Sequence, residues 1–240
     1  MLMFKNKPFF ILCVLGILFS CKKEVSITFS ENNLTSENNS IVEVNIPLVN
    51  ENNDIGKSIN SAIKDYVIDA LQIGESDIVS NSVEETIESF NQEYSNFANE
   101  FPDSAQEWEA QIDGEVIFKT QDIISVSLTS YTSTGGAHGN LNISFLNFDA
   151  TTGELIENSK LFTDIDVFKT IAENHFNTNL EDEDVSLDEG TFQLPKNIGY
   201  SEDGIILLYN TYEIAPYSTG IIEFVIPFEE VNSLLIFKSS

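Results

Sequence analysis

Arginine is missing from all 240 residues, and the eleven basic side chains, every one a lysine, stand against 39 acids. Recognition of phosphate backbones and nucleotides leans on Lys and Arg clusters, with Arg supplying the planar bidentate fork. Nucleic-acid and nucleotide partners are therefore disfavoured. Cysteine is nearly as scarce: Cys13 lies within the apolar N-terminal run and Cys21 directly follows it, so the rest of the chain has no disulfide to brace it. Histidine occurs twice, as His138 and His175, without H-E-x-x-H or H-x-x-x-H spacing, and there is no G-x-S-x-G elbow. A hydrolase needs an activated nucleophile with a positioned base, or a metal with an open position. These absences point to a protein that is not an enzyme and holds neither metal nor cofactor. Carboxylates are so plentiful that some pair must lie close, which makes a pair uninformative about glycosidase chemistry.

What is abundant is negative charge. Lys5 and Lys7 precede an apolar run, Phe9 to Phe19, that is too short to span a bilayer and ends in Leu18-Phe19-Ser20-Cys21. This reads as a signal segment over residues 1–20 with a lipobox, Phe19 being bulkier than usual there. The alternative is ordinary signal cleavage. Lipidation at Cys21 would anchor the mature chain to a membrane of the cell envelope. Loss of Lys5 and Lys7, with no acid in the same segment, takes the net charge from −28 to −30. Such a field draws in cationic partners and speeds their encounter, although solubility or a salty medium would account for the same composition.

Residues 21–40 are polar and asparagine-rich apart from Val25 to Phe29, and read as a tether with one short strand. Val42, Val44, Ile46 and Leu48 then alternate with polar residues, as in a half-buried strand. After Asn52-Asn53-Asp54, the positions Ile55, Ile59, Ile63, Tyr66, Val67 and Leu71 form a helical stripe, with Gly74 as its expected stop. Ser82 and Glu85 have capping-box spacing and open a second helix whose seam is Val83, Ile87, Phe90, Tyr94, Phe97 and Phe101, stopping before Pro102. An aromatic stripe of this kind belongs to a core.

The period then changes from 3.6 to two. Ala110 and Ile112, then Val116 and Phe118, are expected to form a hairpin about Asp113-Gly114. Val126 and Leu128 enter, and Ile143 and Phe145 leave, a turn whose Gly135, Gly136 and Gly139 are expected to supply positive φ at several positions. Asp149, Thr152 and Gly153 predict a tight turn with a glycine bulge. Thr163 or Asp164 caps a third helix with Val167, Phe168, Ile171, Ala172, His175 and Phe176 on one face. The acidic run Glu181 to Glu189 lacks calcium-loop spacing and reads as a solvated loop. Strands are expected over Gly204 to Ile214 and Gly220 to Ile226, joined by Ala215 to Thr219, before a closing helix with Phe228, Val231, Leu234 and Leu235. The fold class is α+β, antiparallel sheets with helices on one face, in two intimately associated parts over 41–158 and 159–240.

Two blocks carry a resemblance. The first is Gly135-Gly136-Ala137-His138-Gly139-Asn140, followed by Asn147-Phe148-Asp149, Thr152-Gly153 and Leu161-Phe162. The second is Tyr212-Glu213-Ile214-Ala215-Pro216-Tyr217-Ser218-Thr219-Gly220, followed by Glu223 and Ile226-Pro227-Phe228. In this order they resemble a bacterial envelope family of paired domains of unknown function. Its members include the lysozyme-sensing ectodomain of the anti-sigma-V factor and the N-terminal region of the peptidoglycan deacetylase PdaC. The family usually has Ala where Ser218 stands. The resemblance implies a membrane-anchored binding or sensor module without catalysis, since the deacetylase relatives keep their chemistry in a separate C-terminal domain, for which no room is expected here. The signal and Cys21 stand where the anti-sigma relatives carry a cytoplasmic segment and a membrane span, so direct sigma-factor control is not expected.

The candidate binding residues are Pro216 and Tyr217, a low-entropy aromatic anchor beside a rigid proline, and the turn made by Gly135, Gly136, His138 and Gly139. His138 could equally fix its own loop by bonding to neighbouring carbonyls, and Tyr217 could pack inward. The partner expected from the resemblance and the charge is a cationic envelope protein of the lysozyme kind. The alternative is peptidoglycan or a scaffold role, with Trp108, Tyr200, Tyr209, Tyr212 and Tyr217 as aromatics that could line a glycan groove.

Overall fold

The computed structural model describes residues 27–34, 41–73, 81–103, 106–180 and 192–238. The signal segment, Cys13, Cys21, Gly74 and the acidic run 181–189 lie outside these residues. Five strands make the first sheet: β1 (Phe29–Leu34), β2 (Val42–Val49), β3 (Glu109–Lys119), β4 (Ile123–Ser133) and β5 (Asn140–Asp149), in spatial order β1-β2-β3-β4-β5. Helices α1 (Asp54–Leu71) and α2 (Val83–Glu100) connect β2 to β3. That crossover makes β2 and β3 parallel, whereas every other pair in the sheet is antiparallel.

Local chemistry starts the helices as expected. The Asn53 side chain accepts from the Gly56 amide at 2.7 Å, and Ile59, Ile63, Val67 and Leu71 are buried on the sheet side of α1. Ser82 accepts from the Glu85 amide at 3.2 Å, while the Glu85 carboxylate reaches back to the Asn81 amide, one residue before the cap. Of the α2 seam, Val83, Ile87 and Phe90 are buried, and Phe90, Tyr94 and Phe97 surround the ring of Trp108 at centroid distances of 5.4 to 5.8 Å. Phe101, the last of the stripe, remains exposed.

The second part contributes α3 (Ile165–Asn179), an antiparallel sheet of β6 (Asn197–Tyr200), β7 (Gly204–Tyr209) and β8 (Ile222–Pro227), and the short α4 (Phe228–Val231). Asp164 caps α3 by accepting from the Val167 amide at 3.1 Å. Phe168, Ala172 and Phe176 then meet Ile205, Leu207, Tyr209, Phe224 and Ile226 in a second core. Phe118 and Ile123, from the far end of the first sheet, also belong to it. The architecture is α+β with mostly antiparallel sheets.

Several local expectations are corrected. Asp113-Gly114 is no turn: β3 runs straight through it for 11 residues. Gly114 is required because a Cβ there would come within 2.7 Å of both Leu128 and Pro47. The short strand expected in the tether is β1, which begins at Phe29, where the expected segment ends, and pairs with β2 along its whole length. The strand from Gly204 stops at Tyr209, not Ile214, because the chain turns at Asn210 to Glu213. Val167 faces solvent, and Leu235 lies beyond the closing helix, bridged to Phe162. Strand β6 was not anticipated at all.

The two sheets meet through a buried polar joint. Ser125 on β4 donates to the Asn147 side-chain oxygen at 2.8 Å and accepts from the Tyr200 amide at 3.2 Å. The Asn147 amide in turn donates to the Ile198 carbonyl at 2.7 Å, and Gly199 lets β6 approach the ring of Phe145. Ser125 and Asn147 are essentially inaccessible to water. Buried polar groups of this kind are tolerated because each meets a partner.

Candidate binding site at the seam between the two sheets

The glycine cluster forms the tip between β4 and β5. Positive φ is confined to Gly135, at 81°, rather than spread over several positions. Gly139 serves a different purpose: a Cβ there would fall on the ring of Tyr131, so its hydrogen lets that tyrosine lie against the loop. Gly136 has open surroundings and ordinary φ. His138, exposed at the tip, shares a 3.2 Å hydrogen bond between Nδ1 and the Gly139 carbonyl, the local fixing role considered from the sequence.

The second block lies beside it. Pro216, at φ −58° and ψ 155°, starts a 3₁₀ turn over Tyr217–Thr219, closed by Thr219 and Gly220 amides donating to the carbonyls of Pro216 and Tyr217. Tyr217 does not pack inward. Its ring stacks on His138 at 4.1 Å between centroids and 19° between planes. Tyr212 continues the row at 5.4 Å and 35° from Tyr217. At 63% exposure Tyr212 is the most open of the large apolar side chains described.

Tyr212 also has a φ of 66°, the one positive value among described non-glycine residues. The left-handed region is unfavourable for a side chain this large. The surrounding turn imposes it: the Glu213 amide donates to the Asn210 carbonyl, and the Glu213 carboxylate accepts from the amides of Asn210 and Lys196. The turn is itself clamped to the first sheet, because the Asn210 side chain accepts from the Ile143 amide and donates to the Ile143 carbonyl, both at 2.8 Å. Backbone strain is thus held in place to present a ring to solvent.

Of the five aromatics that could line a glycan groove, Trp108, Tyr200 and Tyr209 are buried. Tyr200 donates to the Phe237 carbonyl and Tyr209 to the Gln193 carbonyl, and burial pushes both phenols well above their ordinary range. Tyr212 and Tyr217 remain. His175 lies on α3 and pairs with Glu230 of α4 at 3.0 Å. Among the described residues no three His, Cys, Asp or Glu side chains converge in a way that could hold a metal. Nor is any described helix long and apolar enough to cross a membrane.

The chain is similar to known proteins along most of its length. Residues 31–141 match the family described as Deacetylase PdaC, and residues 156–229 match the family described as Protein of unknown function, DUF3298. A crystal structure of a DUF3298 member from Bacteroides fragilis superposes with a TM-score of 0.66 at 21% identity, covering 88% of this chain and 94% of that one. A DUF3298 protein from Pseudomonas aeruginosa does so with a TM-score of 0.57 at 20% identity, covering 88% and 93%. At such identity the likeness speaks for the fold alone. No curated protein matches the sequence significantly.

Proposed function

We propose, from the match of the chain to a PdaC-type domain followed by a DUF3298 domain, that it is a non-catalytic binding module of the cell envelope, held at a membrane through a lipid on Cys21. One observation carries the reading. The two motif blocks, some 75 residues apart in sequence, meet as an open aromatic ledge of His138, Tyr217 and Tyr212. Rigid, exposed aromatics on fixed turns lose little entropy on binding and make efficient anchors. The net charge of −28 favours a strongly basic protein of the lysozyme kind as the ligand.

The test is retention of lysozyme on the immobilised chain at low and at moderate salt, with Tyr217→Ala beside the parent. An anchor residue should weaken binding by roughly tenfold to thirtyfold when truncated. Failure of the parent chain to retain lysozyme at either salt ends the reading. A second ligand class is supported by the same ledge, because the flat faces of Tyr212 and Tyr217 would suit a sugar ring of peptidoglycan. Cosedimentation with purified sacculi, lost in Tyr217→Ala, would favour that class over the first.

A further inference from the structure

Helices α1 and α2 cover one face of the five-stranded sheet, and the second sheet covers the β4–β5 side of the other. Among the described residues, what stays open is the outer face of β1, of β2 as far as Asn45 and of β3 from Glu109 to Glu115, Phe118 at the far end of β3 belonging to the second core. Strand alternation places Glu31, Glu43, Glu109, Asp113 and Glu115 on it, while Val42, Val44, Ile46, Ala110 and Ile112 point to the core. The amides between the acids are already ordered. Asn33 donates to Asn45 at 2.6 Å, Asn45 to Asp113 at 3.1 Å, and Gln111 to the other Asp113 oxygen at 2.8 Å, a row crossing three strands.

The single lysine of these three strands, Lys119 at the end of β3, is exposed but stands opposite Ile124 and donates to the Ile27 carbonyl, away from these acids, and the ion pairs among the described residues, Lys160 with Glu157 and His175 with Glu230, lie elsewhere. The acidic face is also continuous with the ledge. Glu43 stands opposite Gln111, and Gln111 opposite Tyr131, whose ring lies against Gly139, the residue after His138. Between Ile41, Glu43, Glu107 and Glu109 the surface sinks into a depression of about 260 Å³, enough for one long side chain.

We infer that this open sheet face is the docking surface for a folded basic protein, with the depression receiving a lysine or arginine of that partner and the ledge anchoring its rim. The inference rests on the binding reading above and assigns the partner's charge contacts to β1–β3. Carboxylates that meet the partner across solvent act mainly on its rate of arrival, whereas the aromatic anchor acts on its departure. The two contributions are therefore separable.

The experiment measures association and dissociation rates of lysozyme, used as the basic probe, on the full chain and on the triple variant Glu43→Gln, Glu109→Gln, Glu115→Gln. All three positions are exposed, and a melting curve checks that the variant is folded. The expected result is an association rate about tenfold lower at low salt, converging with the parent as salt is raised, and a dissociation rate within about twofold of the parent. Unchanged association with an unchanged salt slope overturns the docking face, and if Tyr217→Ala still weakens binding the earlier reading survives it. A parent chain that binds no lysozyme overturns both.

Discussion

Replacing Asn147 by Ala tests whether the seam between the sheets is a structural joint or a passive contact. The side chain is buried and uses both ends, accepting from Ser125 at 2.8 Å and donating to the Ile198 carbonyl at 2.7 Å. Truncation leaves the Ser125 hydroxyl without its acceptor and the Ile198 carbonyl without this donor, in a place that water does not reach. Each buried group stranded in this way costs about 1–3 kcal/mol. Two of them put the expected loss at about 2–6 kcal/mol, a large share of the roughly 5–15 kcal/mol that holds a domain together. Urea unfolding reads this out, followed by far-ultraviolet circular dichroism and by fluorescence of Trp108, the single tryptophan, in the first core. Separation of the two probes' transitions would show the parts unfolding independently once the joint is cut. Because Ser125 and Asn147 act on each other, the double variant with Ser125→Ala should lose about 1 kcal/mol less than the two single losses combined. A loss below about 0.5 kcal/mol in the single variant, with coincident transitions, would refute the joint.

Two further outcomes follow from local geometry. Gly153 has φ of 76°, and a Cβ there would stand 2.6 Å from the Ile55 carbonyl oxygen, so Gly153→Ala should cost about 2–3 kcal/mol by denaturant midpoint. Gly136→Ala, with ordinary φ and its nearest outside atom at 3.7 Å, should cost under about 1 kcal/mol; equal losses would contradict the assignment. Glu51 accepts from the Thr28 amide at 2.9 Å and the Thr28 hydroxyl at 2.8 Å, and those bonds, the amide first, hold its carboxyl below the ordinary value of 4.5. A lowered native pKa means that the contribution is present above the unfolded value and lost as pH falls through the native one. The stability difference between parent and Glu51→Gln should therefore exist at neutral pH and shrink as pH falls below the ordinary carboxylate value; a difference that persists or grows in acid would reverse the assignment.

The helices were legible because their apolar spacing has a single interpretation. The Phe90, Tyr94 and Phe97 seam falls on Trp108, and the caps at Asn53, Ser82 and Asp164 all form. The strands were less so where one signal serves two purposes. Asp-Gly reads as a turn, but Gly114 is there to clear Leu128 and Pro47, a crowding that exists only after three strands have assembled. The parallel pairing of β2 and β3 is a property of the crossover and leaves no local mark. Strand β6, four residues with a central glycine, is too short to show a period, and its burial depends on Asn147, Phe145 and Ser125 from another sheet. At the site, His138 and Tyr217 were each visible as loop residues. Their stacking, and the left-handed Tyr212 beside them, arise from tertiary clamps that no short-range pattern encodes.

Those clamps explain why the ledge can be rigid although every ring in it sits on a connection. Ile143 and Asn147 are four residues apart on β5, a separation of about 13 Å along a strand. At the first, the backbone is gripped by Asn210 of the second part; at the second, the side chain grips β6 of that same part. Two amide fastenings on one strand resist rotation of one sheet against the other far better than a single contact would. The tip carrying His138 continues directly into β5, and the turn carrying Tyr212 begins at Asn210, so both halves of the ledge are fixed to the same strand within a few residues. The stacking of the rings is then set by the sheets as much as by the loops. If the ledge binds a ligand as proposed, fastening it in this way leaves little conformational freedom to be lost on contact.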